Sequence, residues 1–483
     1  MRRSVRGTLV PLVAALLLVG LVVPVVARAA TTDGVYPGPV PRASCGPGAN
    51  PETGMQGRVS ADDVASGRAA QGYTCNTELV SHYGTTGGYR VHRYVDASGN
   101  ACAFYDSTLL FPTNALAGST HQTGVFVLDM SNPAQPVQTA TLSTLAMQSP
   151  HESLSLNVPR GLLAADLGNP LSHAGWVDIY SVKADCRHPV LESSLPVGVL
   201  GHEGAFSPDG NTFWVTSAGG GTITAVDVSD PALPHPLWTQ HGILPHGLNV
   251  SDDGNLVYIA DLGNDGNTAG LTTLDVSEIQ SRVLNPQVRV VSHLTWDTVS
   301  IPQVPIPVTI NQHPYLVEVD EFATLPSQPG FPSADPDASV GAARIIDAAD
   351  PAHPSVVSNI RLEVHMPENR AAIQGDPGAG SSLQGYAGHY CAVPQRAEPG
   401  IVACSFILSG LRVFDIRDPV HPQEIAYFNA PVHQGSFGEP GSNYAMSAPA
   451  FDTQRGQIWY SDGNDGFYAV QVTNGVWPFT PTG

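Results

Sequence analysis

Gly124-Val-Phe-Val-Leu-Asp129, Gly270-Leu-Thr-Thr-Leu-Asp275 and Gly410-Leu-Arg-Val-Phe-Asp415 share a leading glycine, an alternating strand-forming run and a terminal aspartate. Thr222 to Asp227 and Ala342 to Asp347 repeat the run without the glycine, and Gly175 to Tyr180 and Gly466 to Gln471 repeat it without the aspartate, which makes seven copies. In four copies proline stands four and seven residues after the aspartate: Asp129/Pro133/Pro136, Asp227/Pro231/Pro234, Asp347/Pro351/Pro354 and Asp415/Pro419/Pro422. An Asp/Asn-Pro turn fixes φ and removes a donor, so it ends one strand, and an outer strand such as Val137 to Leu142 can follow.

Upstream of each anchor two more strand-like runs flank a turn. Examples are Gly204-Ala-Phe, Ser207-Pro-Asp-Gly210 and Thr212 to Thr216, and then Gly247 to Val250, Ser251-Asp-Asp-Gly254 and Leu256 to Ala260. Asp-Gly between such runs is a hairpin signal. Each unit is therefore four short antiparallel strands, recurring about every fifty residues. Such a sheet cannot bury both faces alone; stacked radially, each covers its neighbours, and closing the ring protects the edges. The expected fold is all-β, a seven-bladed β-propeller of four-stranded antiparallel blades over residues 75–483. The repeats, clearest at the Asp129, Asp227, Asp347 and Asp415 segments, resemble those of the LVIVD-repeat β-propeller family over residues 75 to 475. That resemblance implies the fold and little about activity, because propellers host many unrelated functions.

Arg2, Arg3 and Arg6, an apolar run from Leu9 to Val26, and then Ala27-Arg28-Ala29 have the order of a secretory signal. Pro11 and Pro24 interrupt the run, which argues against a spanning helix. Residues 1–29 are read as a removed signal peptide, and residues 30–74, rich in Gly, Pro and Ala, as an extended arm on the propeller. The product is then secreted, with no stable membrane anchor after cleavage. Loss of Arg2, Arg3, Arg6 and Arg28 takes the formal charge from −21 to about −25. Lys183 is the one lysine and no basic cluster remains, so a groove tracking nucleic-acid phosphates is excluded. Six cysteines behind an export signal read as disulfides. Cys391 and Cys404 flank a turn from Pro394 to Gly400 and suit a bridge across one hairpin, whereas Cys45, Cys75, Cys102 and Cys186 are not assigned by spacing.

Five units begin with histidine at matching phase: Pro150-His151-Glu152, Gly201-His202-Glu203, Pro245-His246-Gly247, Gln312-His313-Pro314 and Gly388-His389-Tyr390. The first strand of a blade lines the channel, so entry positions of blades two to six form a ring at one mouth. Blade seven offers Ser447 or Pro449 there, and blade one has no clear equivalent. A ring of neutral imidazoles suits copper, iron, zinc or nickel, and the other ring nitrogen needs a partner that fixes the tautomer. Glu152 and Glu203 are candidates for that role or for general bases, with Glu318, Asp320 and Glu321 weaker. The arrangement is similar to that of carotenoid-cleaving oxygenases and of selenium-binding or methanethiol-oxidase proteins, propellers whose channel histidines hold iron or copper.

The insertions 283–312 and 361–388 lengthen the connections into His313 and His389 and are expected over the histidine face as a lid; a third, 322–341, falls inside blade five. Two function classes follow. One is an extracellular, transition-metal-dependent oxidoreductase in which His151, His202, His246, His313 and His389 supply copper, iron or zinc ligands and Glu152 or Glu203 moves protons. The other is a non-catalytic binding or scaffolding protein in which the histidines only satisfy backbone groups at the blade junctions. Either would meet a small molecule or extracellular ligand at the histidine face.

Overall fold

The computed structural model describes residues 38–108, 124–168, 173–263, 269–296, 301–321, 341–379, 385–432 and 443–479; the proposed signal peptide and nearly all of the 322–341 insertion lie outside them. Seven small antiparallel sheets follow one another along the chain. Their first strands are Val91–Val95, Ser155–Asn157, Glu203–Phe206, Pro245–Val250, Ile301–Ile310, Tyr390–Ala392 and Ala450–Asp452, in blades one to seven. Their third strands are Val125–Asp129, Val177–Ser181, Thr222–Asp227, Gly270–Asp275, Ala343–Asp347, Leu411–Asp415 and Gly466–Val472, the seven copies of the repeat. The fold is a seven-bladed β-propeller.

The repeat's aspartate has a local cause. In Asp129, Asp227, Asp275, Asp347 and Asp415 the carboxylate accepts the backbone N–H two residues on, at 2.8 to 3.0 Å, which turns the chain away from the third strand; in all but Asp275 a proline then fixes φ. Beyond each Asp-Pro turn the fourth strand begins, Val137–Leu142 in blade one. Alternation along the strands then serves two interfaces at once. Phe213 and Val215 pack on Leu162 and Ile179 of blade two, whereas Trp214 and Ala225 pack on Leu248 and Ile259 of blade four.

The ring closes with a strand from the opposite end of the chain. Thr77–Tyr83 is the outer strand of blade seven, paired with Gly466–Val472 from Thr77 opposite Val472 to Tyr83 opposite Phe467. Just before it, Tyr73–Cys75 adds a fifth strand to blade six. Among the arm residues, Arg58 pairs with Asp376 at 2.8 Å, and Glu52 pairs with the buried Arg412. Three disulfides form: Cys391–Cys404 across its hairpin, Cys45–Cys75 between arm and fifth strand, and Cys102–Cys186 between blades one and two. No helix among the described residues is long and apolar enough to cross a membrane.

The 283–312 segment is not a lid. Arg289–Thr295 is the outer strand of blade four and Ile301–Ile310 the first strand of blade five. The 361–388 segment does lead to the histidine mouth and contains three short helical turns, Glu363–His365, Pro367–Asn369 and Arg370–Ile373. His365 anchors it: Nδ1 accepts from Leu362 N at 2.9 Å and Nε2 donates to Tyr386 O at 2.8 Å, which fixes the neutral ring. Burial, aided by Arg361 and Arg412, pushes this imidazole down to about 3. The unfolded chain takes up a proton near pH 6.5 that the folded chain refuses, so this group's contribution is full above about pH 6.5 and falls as the pH drops toward about 3. The stability gap between wild type and His365→Gln, measured by urea unfolding, is expected to narrow by about 2 kcal/mol from about pH 7 to about pH 5. A constant gap would mean that the folded protein protonates this ring.

Candidate functional site

Four of the five entry histidines meet. His151, His202, His246 and His389, from blades two, three, four and six, are all buried, at 6, 3, 5 and 0 % exposure. The ring centroids of His151 and His202 lie 4.6 Å apart, and those of His202 and His246 5.1 Å. The backbone is bent to bring them inward: His151 has the left-handed φ of 49°, and the pairing of Pro245–Val250 shifts register between Pro245 and Leu248, where His246 sits. Left-handed φ on a non-glycine residue concentrates at functional sites.

Glu152 stands among the imidazoles. Its Oε2 is 3.1 Å from His202 Nε2 and 3.4 Å from His246 Nε2, and its Oε1 is 3.4 Å from His389 Nε2. Glu321, at the end of the second strand of blade five, lies 3.3 Å from His389 Nε2 and 3.7 Å from His246 Nε2. Two imidazoles are held from behind: His246 Nδ1 donates to Pro302 O at 2.9 Å, and His389 Nδ1 donates to Met446 O at 2.7 Å. A ring nitrogen tied to a carbonyl turns the other nitrogen's lone pair, or its proton, toward the centre.

The charges in this ring are strongly coupled. Burial drives His151 well below its ordinary value. His389 also suffers from burial, but Glu321 and Glu152 lift it to about 9. Burial alone would raise Glu152, yet His151, His246 and His202 hold its carboxyl well below the usual range. The ring therefore mixes neutral and charge-paired imidazoles around an ionised carboxylate.

These residues fit a metal ion. Two donors each about 2.1 Å from one ion, at angles between roughly 90° and 110°, are about 3.0–3.4 Å from each other, the spacing seen around Glu152. The sets His151–Glu152–His202 and Glu152–Glu321–His389 each gather ligand atoms within 4.8 Å. Glu152 Oε2 and His389 Nε2 are buried and make no well-formed hydrogen bond among the described residues. A nitrogen-rich set with one or two carboxylates suits copper, iron or zinc.

Below the ring lies a polar floor. Arg90 of blade one pairs with Glu203, donates from Nε to Glu152 O at 2.9 Å and stacks 4.3 Å over the Tyr390 ring; Gln303 donates to the Tyr390 hydroxyl at 2.7 Å. Glu203 is thus one layer beneath the imidazoles, pushed up to about 8 by burial and by Glu152 against the pull of Arg90. Tyr89, edge-on to His151 at 4.5 Å, fills blade one's place in the ring. The sequence reading missed Tyr89, Arg90, Gln303 and Tyr390. Tyr89-Arg90 stands immediately before a first strand, the same phase as the histidines, and that phase was the available signal.

His313 does not join them. It opens the second strand of blade five, His313–Glu321, whose far end supplies Glu321, so the two lie about 26 Å apart along one strand. His313 is instead 2.9 Å from Asp347 with 42 % of its side chain exposed. Of the other carboxylates considered, Glu318 and Asp320 pair with Arg344 away from the ring.

No family model matches the chain, and no curated protein matches it. Among solved structures the chain is similar to Kuenenia stuttgartiensis hydrazine synthase (11% identity, TM-score 0.46, covering 81% of this chain and 97% of that one). It is also similar to the periplasmic gluconolactonase PpgL of Pseudomonas aeruginosa (13%, 0.46, 74% and 94%) and to the Cps50 (Swd1) β-propeller domain of Myceliophteria thermophila (10%, 0.46, 82% and 100%). At such identities the likeness concerns fold alone.

Proposed function

We propose that this chain is a secreted, transition-metal-dependent oxidoreductase whose channel mouth holds one copper, iron or zinc ion on His151, His202, His246 and His389, with Glu152 and Glu321 as neighbouring carboxylates. The observation that carries the reading is the convergence of four buried imidazoles, from four separate blades, on one carboxylate at ligand spacing. Pro302 O and Met446 O orient His246 and His389, as backbone carbonyls behind metal-bound imidazoles do. A bound ion would supply Lewis acidity or electron transfer. Glu203, one layer beneath the ring and paired with Arg90, would hold a proton. The three disulfides suit an oxidising compartment.

A binding or scaffolding propeller is the second reading. It is favoured by the pairing of Glu152 and Glu321 with His246 and His389, which completes the ring's charge without an ion. Elemental analysis separates the two. The mature wild type is expected to carry near-stoichiometric copper, iron or zinc, and a folded His202→Ala/His246→Ala variant is expected to carry none. No metal on the wild type, even after incubation with each ion, would leave the scaffold reading.

A further inference from the structure

Beneath Arg90 the channel continues as a cavity of about 340 Å³, framed by the first strands of blades one to four and by Arg396, which reaches in from the turn between the first two strands of blade six. Its walls are unusual for this protein. The chain has twice as many acidic residues as Lys and Arg together, 42 against 21, yet among the described residues the cavity is lined by Arg90, His92 and Arg396 and by no acidic side chain. Ser155–Asn157 and Glu203–Phe206 each pair only with their own second strand, so their other backbone edges face this space. Such a cavity offers polar groups to water or to a ligand rather than an apolar slot.

At its inner end the Arg90 charge is paired with Glu203, but one of its nitrogens keeps its donors. Arg90 uses Nε for Glu152 O and NH2 for Glu203 and the Tyr390 hydroxyl, and its NH1 donates no hydrogen bond among the described residues. Its side chain keeps 14 % exposure. At the rim Arg396 is fixed by NH1 to Val250 O and Asp252, at 2.8 and 2.9 Å, and by NH2 to Asn249 Oδ1 at 3.2 Å. That bond fixes the Asn249 amide with its NH2 group left as a donor. A planar guanidinium with a remaining N–H pair is matched by a carboxylate oxygen, and the open strand edges offer backbone groups to hydroxyls alongside apolar neighbours such as Leu154, Leu156 and Phe206.

We propose that this lower half of the channel binds a small hydrophilic carboxylate, held by Arg90 at the inner end with Arg396 and Asn249 at the rim. The proposal needs no bound metal, because the cavity's residues belong to the layer below the histidines, with Arg90 touching both layers through Glu152 O and Glu203.

The test is calorimetric titration of the chelator-treated mature protein with L-malate, acetate and sulfate. L-malate is expected to saturate one site with a Kd in roughly the millimolar range, with acetate weaker and sulfate weaker still. Asn249→Asp keeps an acceptor for Arg396 but puts a like charge in the cavity, and it is expected to weaken L-malate about tenfold or more. Arg90→Gln combined with Glu203→Gln, which removes both partners of the buried pair, is expected to abolish binding with unchanged circular dichroism. No saturable L-malate binding to wild type up to about 20 mM overturns the proposal, as does binding that Asn249→Asp leaves unchanged. Sulfate binding tighter than L-malate overturns the carboxylate assignment. Metal content, measured on separate samples, reports on the ring alone.

Discussion

Arg344→Met is expected to destabilise the protein by about 3–5 kcal/mol, measured as a fall in the free energy of urea unfolding. Arg344 is wholly buried in the third strand of blade five. It bonds Glu318 directly across the sheet and Asp320 two residues on, the latter at 2.8 and 2.5 Å, and its guanidinium lies 3.9 Å over the Trp296 ring. Both carboxylates are also fully buried. Burial, and then repulsion from Asp320, pushes Glu318 well above its usual range even with the arginine present. Methionine fills much of the volume but leaves two acids in a dry interface with no cation, and breaking such a cluster from one side carries the large cost. The triple variant Arg344→Met/Glu318→Gln/Asp320→Asn removes the charges together and is expected to recover most of the loss. If Arg344→Met alone costs under about 1 kcal/mol, water must reach the carboxylates and the cluster is not sealed.

The contrast between what the sequence displayed and what it hid follows from where the constraints lie. The third strands were legible because five of the seven end in an aspartate that caps its own turn, a local requirement repeated from blade to blade, as at Asp129 and Asp415. His151, His202, His246 and His389 were legible by phase, since a residue just before a first strand always faces the same mouth. His313 was misplaced because Ile301–Ile310 contains Pro302, Pro305 and Pro307 and so does not read as a strand. It is one, because a first strand needs hydrogen bonds on one side only. Pro305 and Pro307 share the same edge by alternation, and the register shift between Pro302 and Val304 puts Pro302 on it too. With that strand hidden, the histidine after it looked like an entry residue, and Glu321 at the other end of the next strand looked incidental. Cys391–Cys404 was readable because its partners share a hairpin. Cys45–Cys75 and Cys102–Cys186 were not, because the contacts that bring them together are made by the ring and the arm, not by neighbouring sequence.

The closing strand belongs to that second category, and it carries the other large effect. A chain beginning at residue 84 is expected to yield no folded monomer, read by size-exclusion chromatography and by loss of a cooperative melt. Without Thr77–Tyr83, the strand Gly466–Val472 loses its outer partner and presents seven strand-forming residues as an unpaired edge, a template for pairing between chains. The contact between blades one and seven weakens as well, since Val80 and Tyr83 of the closing strand pack on the Tyr105 and Trp459 cluster that joins those blades. The truncation also removes the arm, including the Glu52 partner of buried Arg412, so it needs a control that lacks the arm equally. A permuted chain supplies it: residues 84–476 followed by a short turn and then residues 77–83. Thr77 already lies opposite Val472, and Thr473 N donates to Asn76 O at 2.9 Å, so the appended strand can reach its native register through a hairpin. This permutant is expected to regain a monomer with a cooperative transition, which would assign the failure of the truncated chain to the missing strand. If both chains aggregate alike, the arm's grip on blade six is the stronger constraint. A truncated chain that melts cooperatively as a monomer would show that the six other blades and the first-strand contacts close the ring unaided.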